Sequence, residues 1–454
     1  MNPWGRARRP ASARRRPDGR HPAIPPNAPV PPLPRRALLA GLAAAALPSL
    51  AGTAARAATA RRAWGPARRD GPPSDGLAGG NNPYNGPWTL GPDAQATLGE
   101  ALALAGVPGA SLAVVEGGKT AQALGLGVRD TRSGLPMTPD TVTAAASLGK
   151  PVFAYAVLRL VQAGRLDLDR PLAEAAPLPD LGDARARLVT ARHVLSHGTG
   201  FPNWRSRAEP LVPAFAPGER FGYSGEGYYL LQRVVEHVTG QPVERVLQEQ
   251  VFGPLGMGRT GALWRPALGD TVAAGFERRG AFGYSPREDA ERLAAAEARV
   301  GRPAPEWTAG DALRALALLR PGEPAVPNGA LPNVAGSLVT TAADYARFLA
   351  GALAPRGPHA LDARLRAEML TPRTRLNDRL GWGLGWGLER ARDAAYAWHW
   401  GDNGVFKNFV LHDPERGRGV VVFTNSALGA KVYDRAVRAA ARRDSAGLLY
   451  WMVG

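Results

Sequence analysis

The chain contains no cysteine among its 454 residues. That excludes disulfide staples, a thiol nucleophile and any cysteine-ligated metal, and a fold of this length does not need such staples. Lysine is almost as scarce: Lys119, Lys150, Lys407 and Lys431 are the only four, against 52 arginines. Arginine keeps its proton in a protein, whereas a desolvated lysine can titrate and serve as a base, so the lysine at 150 is the more telling choice. Histidine is limited to seven residues. His193 and His197 lie four apart, but no H-E-x-x-H glutamate or acidic cluster completes a ligand set. A hydrogen-bonded structural role is expected for them, and no metal or other cofactor. No segment approaches the ~20 apolar residues of a membrane span, so no stable membrane span is expected.

Acidic residues are nearly missing from the first part of the chain. Residues 1–69 carry fourteen arginines and one acid, Asp18, which leaves only +4 of the +17 net charge for the other 385 residues. A nucleic-acid surface needs clustered charge on the folded part, so no nucleic-acid partner is expected. Arg35-Arg36, an apolar run at 37–47, Pro48 and Ala55-Arg56-Ala57 follow one another as n-region, h-region and an A-x-A-like cleavage site. The paired arginines predict a twin-arginine-type export signal over 1–57 with a long basic n-region. The protein is therefore expected to be exported, periplasmic or extracellular. A Gly/Pro-rich linker is predicted over 58–92, a folded domain over 93–443 and a tail over 444–454.

Inside the domain, periodicity predicts helices at 93–105, 227–239, 243–252, 289–299, 309–319, 342–353 and 431–443. Strand-like runs fall at 110–115, 121–128, 383–390, 394–400, 406–411 and 420–424. Strands at both ends with helices between predict an α/β (α+β) fold. Its antiparallel β-sheet is built from N- and C-terminal segments flanked by helices, with an inserted, mainly helical lobe.

The stretch 146–164 organises the rest. Phe153, Ala156, Val157, Leu160 and Val161 form one apolar stripe at helical spacing, and Gly164 stands just past its end. Ser147 occupies the expected N-cap and Lys150 follows three residues later on the same face. A hydroxyl, an amine one turn away and a positive helix end make a candidate acyl-transfer nucleophile. Taken alone, the pair equally fits a capped helix with an exposed lysine.

Two further clusters carry polar chemistry. Tyr223, in Phe221-Gly222-Tyr223-Ser224-Gly225, sits on a glycine-rich turn before a helix. A nearby cation would make its proton easier to remove, so it is a candidate general base; an ordinary turn tyrosine fits as well. In Trp398-His399-Trp400-Gly401-Asp402-Asn403-Gly404, a donor at His399 and close approach at Gly401 suit a sheet edge that holds substrate as an added strand. The N–H just beyond Gly401, on Asp402, is a candidate half of an oxyanion hole. A Trp/Gly hairpin with a structural histidine is the alternative.

Together, Ser147-Leu148-Gly149-Lys150, Tyr223-Ser224-Gly225 and His399-Trp400-Gly401 resemble, in order, the S-x-x-K, Tyr-x-Asn and K/H-x-G boxes of the serine β-lactamase and penicillin-binding-protein superfamily. The resemblance is to its class C β-lactamase-like branch, which includes esterases and D-amino-acid peptidases. It extends over about 93–430 and includes R-H-V-L-S-H-G-T-G-F-P at 192–202 and G-S-L-V-T-T-A-A-D-Y-A-R-F at 336–348. It implies that Ser147 attacks a carbonyl and that Lys150 with Tyr223 accepts its proton. The N–H groups of Ser147 and Asp402 then hold the oxyanion, and water releases the acyl group.

The departures are equally informative. Gly225 lacks the amide with which family members hold an acylamide side chain. His399 replaces the lysine of true β-lactamases, which predicts a pH-dependent site for a substrate carboxylate. Both favour a small ester or amide substrate over a β-lactam. A D-Ala peptidase or β-lactamase acting on cell-wall peptides or β-lactams, and a catalytically inactive binding protein of the same fold, are the alternatives. Leu148 and Gly149 are unusual inside the nucleophile box and are expected to reshape the helix start. The poorly patterned region 262–332 is expected to set specificity.

Overall fold

Residues 420–424, Val-Val-Val-Phe-Thr, are β-branched or aromatic and buried on both faces, as a central strand requires. A computed structural model of the chain describes residues 86–205, 207–319, 321–322 and 331–453. The expected export signal at 1–57 and most of the expected linker lie outside the described residues. Thirteen strands are described: β1 (Gly109–Glu116), β2 (Lys119–Asp130), β3 (Leu135–Pro136), β4 (Thr143–Ala144), β5 (Gly275–Phe276), β6 (Phe282–Tyr284), β7 (Val339–Thr340), β8 (Thr374–Arg375), β9 (Leu380–Trp382), β10 (Gly387–Arg390), β11 (Ala395–Asp402), β12 (Lys407–Asp413) and β13 (Arg418–Thr424). Nine of them form one antiparallel sheet in the order β3-β2-β1-β13-β12-β11-β10-β9-β8. β1 pairs with β13 from Ala110 opposite Thr424 to Val115 opposite Gly419, so the two ends of the domain meet in mid-sheet, as the sequence predicts.

Alternation along these strands feeds two separate layers. Ala113, Val115, Val421 and Phe423 face a core shared with Phe153 and Val157 of the Gly149–Gln162 helix. Leu112, Val114, Val420 and Val422 face the opposite way, onto Leu98 and Leu102 of the Pro92–Ala105 helix and Val432 and Val437 of the Ala430–Ala441 helix. The terminal helices thus cover one face of the sheet. The central helix and the Gly225–Thr239 and Ala342–Ala352 helices share the core on the other face, while the Pro286–Val300 and Ala309–Leu319 helices of the inserted lobe pack in a cluster of their own.

Three elements differ from the sequence reading. The run 383–390 is not one strand: β9 ends at Trp382, the chain turns, and β10 begins at Gly387. Trp382, Leu384, Trp386 and Leu388 recur at period two and are all buried, so the pattern conceals the turn. Gly383 N donates to Trp386 O at 2.8 Å, closing the turn as a hairpin. The helix expected over 243–252 is α-helical only at Val243–Leu247 and widens into a π turn at Gln248–Phe252. The expected tail contains a helix, Ala446–Val453. Ser445 Oγ accepts from Leu448 N at 3.2 Å at its start, and the buried Glu389 carboxylate accepts from Arg443, Ser445 Oγ and Gly447 N.

Candidate active site

Ser147 does not cap the central helix. It lies in a 3₁₀ turn, Ala146–Leu148, and the helix that follows has Leu148 at its N-cap with no side-chain cap bond. The serine hydroxyl is thereby left free for other partners. Lys150 Nζ donates to Ser147 Oγ at 3.0 Å and to the Ala335 carbonyl at 2.7 Å. The rings of Tyr223 and Tyr228 lie 4.8 and 5.7 Å from Nζ. Lys150 is fully buried, and burial alone holds its pKa well below the ordinary lysine range.

The turn that presents Ser147 is strained and braced. Ala146 has φ 51, a left-handed conformation that costs a residue with a Cβ on the order of 1 kcal/mol. It persists because both preceding residues are fixed: Asn408 Nδ2 donates to Ala144 O at 2.9 Å, and Ala145 N to Leu338 O at 2.8 Å. Gly149 has a packing reason for being there. A Cβ on it would lie 2.6 Å from Val334 O, so the helix start rests directly on the segment that carries Ala335.

Tyr223 comes to the same place from a separate segment of the chain, with its ring 4.8 Å from Lys150 Nζ. Ser224 caps the Gly225–Thr239 helix, accepting from Gly227 N at 2.9 Å and donating to Pro202 O at 2.8 Å. This fixes the turn on which Tyr223 stands. The tyrosine ring stacks on His197, with centroids 4.2 Å apart, and lies 5.0 Å from Trp400. Its hydroxyl is buried and faces the Ser147 hydroxyl. Burial pushes its pKa up, outweighing the smaller opposite pull of the Ser147 hydroxyl. The expectation of a tyrosine whose proton is easily removed is therefore corrected: in the resting site the low-pKa group is Lys150.

His197 was placed by sequence only as a structural histidine, yet it belongs to this cluster. Its Nδ1 accepts from Ser224 N at 3.1 Å, and its own φ of 53 is left-handed. His193, four residues earlier, does something else: it forms a reciprocal capping box with Thr190. Ala335, whose carbonyl anchors Lys150, carries no chemical signal in the sequence beyond preceding the G-S-L-V-T-T phrase.

The third cluster lies along β11. Pairing with β10 ends at Trp398 opposite Gly387, whereas pairing with β12 continues to Asp402 opposite Lys407. Residues 399–402 therefore have an edge with no strand partner on the β10 side. Gly401 is where this strand meets the turn that carries Ser147, for a Cβ there would lie 2.1 Å from Ala145 O. The Asp402 carboxylate pairs with Lys407 and accepts from Gly404 N. Asn403 Nδ2 donates to Tyr284 Oη at 2.7 Å, so the 262–332 region reaches the end of this edge.

His399 is fully buried, with Nδ1 2.7 Å from Trp400 O and its ring 6.4 Å from that of Tyr223. Burial lowers its pKa to about 3. It is neutral through the ordinary pH range and shielded from solvent, which corrects the expectation of a pH-dependent carboxylate site. Gly225, at the start of its helix, lies against the indole of Trp204, a contact that sequence reasoning missed.

With this geometry in place, comparison with known proteins is direct. A family model described as Beta-lactamase matches residues 94–444. Penicillin-binding protein 4 of Amycolatopsis lactamdurans is 31% identical over 283 residues, covering 58% of this chain and 65% of that protein. Esterase EstB of Burkholderia gladioli is 35% identical over 163 residues, covering 29% of this chain and 41% of the esterase. Both matches span less than two thirds of the relative's own length. Among solved structures, the octameric penicillin-binding protein homologue from Pyrococcus abyssi aligns with a TM-score of 0.59 over 77% of this chain and 76% of that one, at 23% identity, a likeness of fold alone. The three boxes, the sheet that joins them and a family match running through nearly all the described residues lead to one assignment: the chain belongs to the beta-lactamase family.

Proposed function

We propose that this protein is an exported serine hydrolase that cleaves an ester or small amide through an acyl-enzyme on Ser147. The observation that carries the reading is the buried Lys150 amine, 3.0 Å from Ser147 Oγ and held low in pKa by burial. A neutral amine in that position accepts the serine proton as Oγ attacks the substrate carbonyl. The main-chain N–H groups of Ser147 and Asp402 hold the oxyanion. Tyr223, which keeps its proton at rest, passes it to the departing alkoxide and recovers one from Lys150, so the alcohol leaves neutral and the acyl group stays on Ser147. Water then repeats the sequence in reverse roles and releases the acid.

An ester is favoured over a β-lactam for two reasons. Gly225 offers no amide to an acylamide side chain, and His399 supplies no charge to a carboxylate. The named esterase relative supports this preference, and the named penicillin-binding relative supports the serine chemistry. The open edge at 399–402 favours a second reading, a peptidase that takes an extended D-Ala peptide as an added strand. The sequence features at 1–57 support export. Turnover of a p-nitrophenyl ester, a D-Ala-D-Ala peptide and a chromogenic cephalosporin by the mature protein tests the order of these readings. The ester is expected to be turned over fastest; a peptide or cephalosporin turned over faster would reverse the preference.

A further inference from the structure

We infer that Trp204 forms the acyl subsite of this active site, an aromatic wall that selects esters of flat aromatic carboxylic acids. The inference rests on the reading of Ser147 as nucleophile. Ser224 is extended (φ −138, ψ 118), so residues 223 and 225 project to the same side of the chain. The Tyr223 ring lies 4.8 Å from Lys150 Nζ and its hydroxyl faces Ser147, and a side chain at 225 would leave the chain on the same side. That space is taken. A Cβ on Gly225 would lie 2.5 Å from Cζ2 and 2.6 Å from Cη2 of Trp204. The indole therefore stands where the third side chain of the tyrosine box would otherwise be.

The mounting of Trp204 is rigid on both sides. Asn203 O accepts from Gly225 N and Glu226 N, each at 3.0 Å, and Asn203 Oδ1 accepts from Gly225 N at 3.0 Å. On the other side, Arg205 N donates to Glu226 Oε1 at 2.9 Å and the Arg205 guanidinium pairs with the buried Glu226 carboxylate at 3.1 Å. Between these anchors Trp204 keeps 38% of its surface exposed. A large aromatic side chain fixed at both flanks yet left open costs little entropy to present and loses water readily from its face. It offers stacking and apolar contact and no amide hydrogen bond. A benzoyl-type acyl group fits that chemistry, and an acylamido group does not.

The test is the ratio of kcat/KM for p-nitrophenyl benzoate to that for p-nitrophenyl acetate, measured on the mature protein and on Trp204→Ala, Trp204→Leu and Trp204→Phe. Loss of ring stacking is expected to lower the ratio by about three- to tenfold in the first two variants, while Trp204→Phe stays within about twofold of wild type. An unchanged ratio in Trp204→Ala and Trp204→Leu would overturn the assignment. Labelling of Ser147 by a fluorophosphonate in each variant separates the two levels. Labelled variants with an unchanged ratio remove Trp204 alone. A wild-type protein that is not labelled removes the nucleophile, and this inference with it.

Discussion

Lys150 Nζ touches Ser147 Oγ at 3.0 Å, lies against two tyrosine rings, and is held by burial with no carboxylate drawing its pKa back up. An ion-paired lysine would be held charged and would serve only to attract. This one is held toward neutrality by burial, and the Ala335 carbonyl fixes the direction of its nitrogen. In an arginine-rich sequence, this buried position holds one of the few side chains that can be both basic and neutral near pH 7.

Lys150→Arg is expected to abolish turnover while keeping a cationic side chain, because arginine does not accept the serine proton. The acylation rate of an aryl ester should fall by about a thousandfold or more, within the range spanned by positioned acid–base groups. Activity within a few-fold of wild type would show that the residue acts by charge alone.

Lys150→Met is expected to separate stability from function. The lysine pKa is depressed in the folded state, so below the unfolded value of about 10.4 the unfolded chain binds the extra proton and wild-type stability falls as pH falls. Methionine removes that dependence. The Tm of the variant minus that of wild type should be larger near pH 6 than near pH 9, while activity is lost at both. Equal differences at the two pH values would mean that the folded protein carries a charged lysine.

Tyr223→Phe is expected to cost about a hundredfold in kcat. The ring remains and keeps its stack on His197, so the Tm should change little. The loss should be greatest for esters of poor leaving groups, because the hydroxyl donates to the departing oxygen. Equal loss across leaving groups would move the proton donation to Lys150.

His399 predicts an absence of titration in the activity profile and its presence in the stability profile. Its folded pKa of about 3 lies below the ordinary 6.5, so stability is fully present above about 6.5 and is lost as pH falls toward about 3. Its imidazole NMR shifts should not move between about pH 8 and pH 5. A midpoint near 6.5 would place the ring in solvent and restore the pH-dependent carboxylate site.

The sequence held the three boxes because each is a local string, and their order carried the family resemblance. The two-ended sheet was readable as well, since β1 and β13 are short apolar runs, with Val114-Val115 in one and Val420-Val421-Val422 in the other. What was hidden depends on contacts between distant segments. Ser147 looks like a helix cap by position, and only the left-handed Ala146 before it turns the hydroxyl elsewhere. His399 looks like a surface switch until β11 and the rings of Tyr223, Trp382 and Trp400 enclose it. Gly149 and Gly225 look like losses from a motif. The structure shows each to be the near side of a contact, with Val334 in one case and Trp204 in the other.

Intact-mass spectrometry of the mature protein after exposure to a fluorophosphonate, beside a Ser147→Ala control, tests the central claim most directly. A single adduct on the wild type and none on the control is the predicted result. A folded wild-type protein that takes no adduct, or a control that takes one equally, would contradict it.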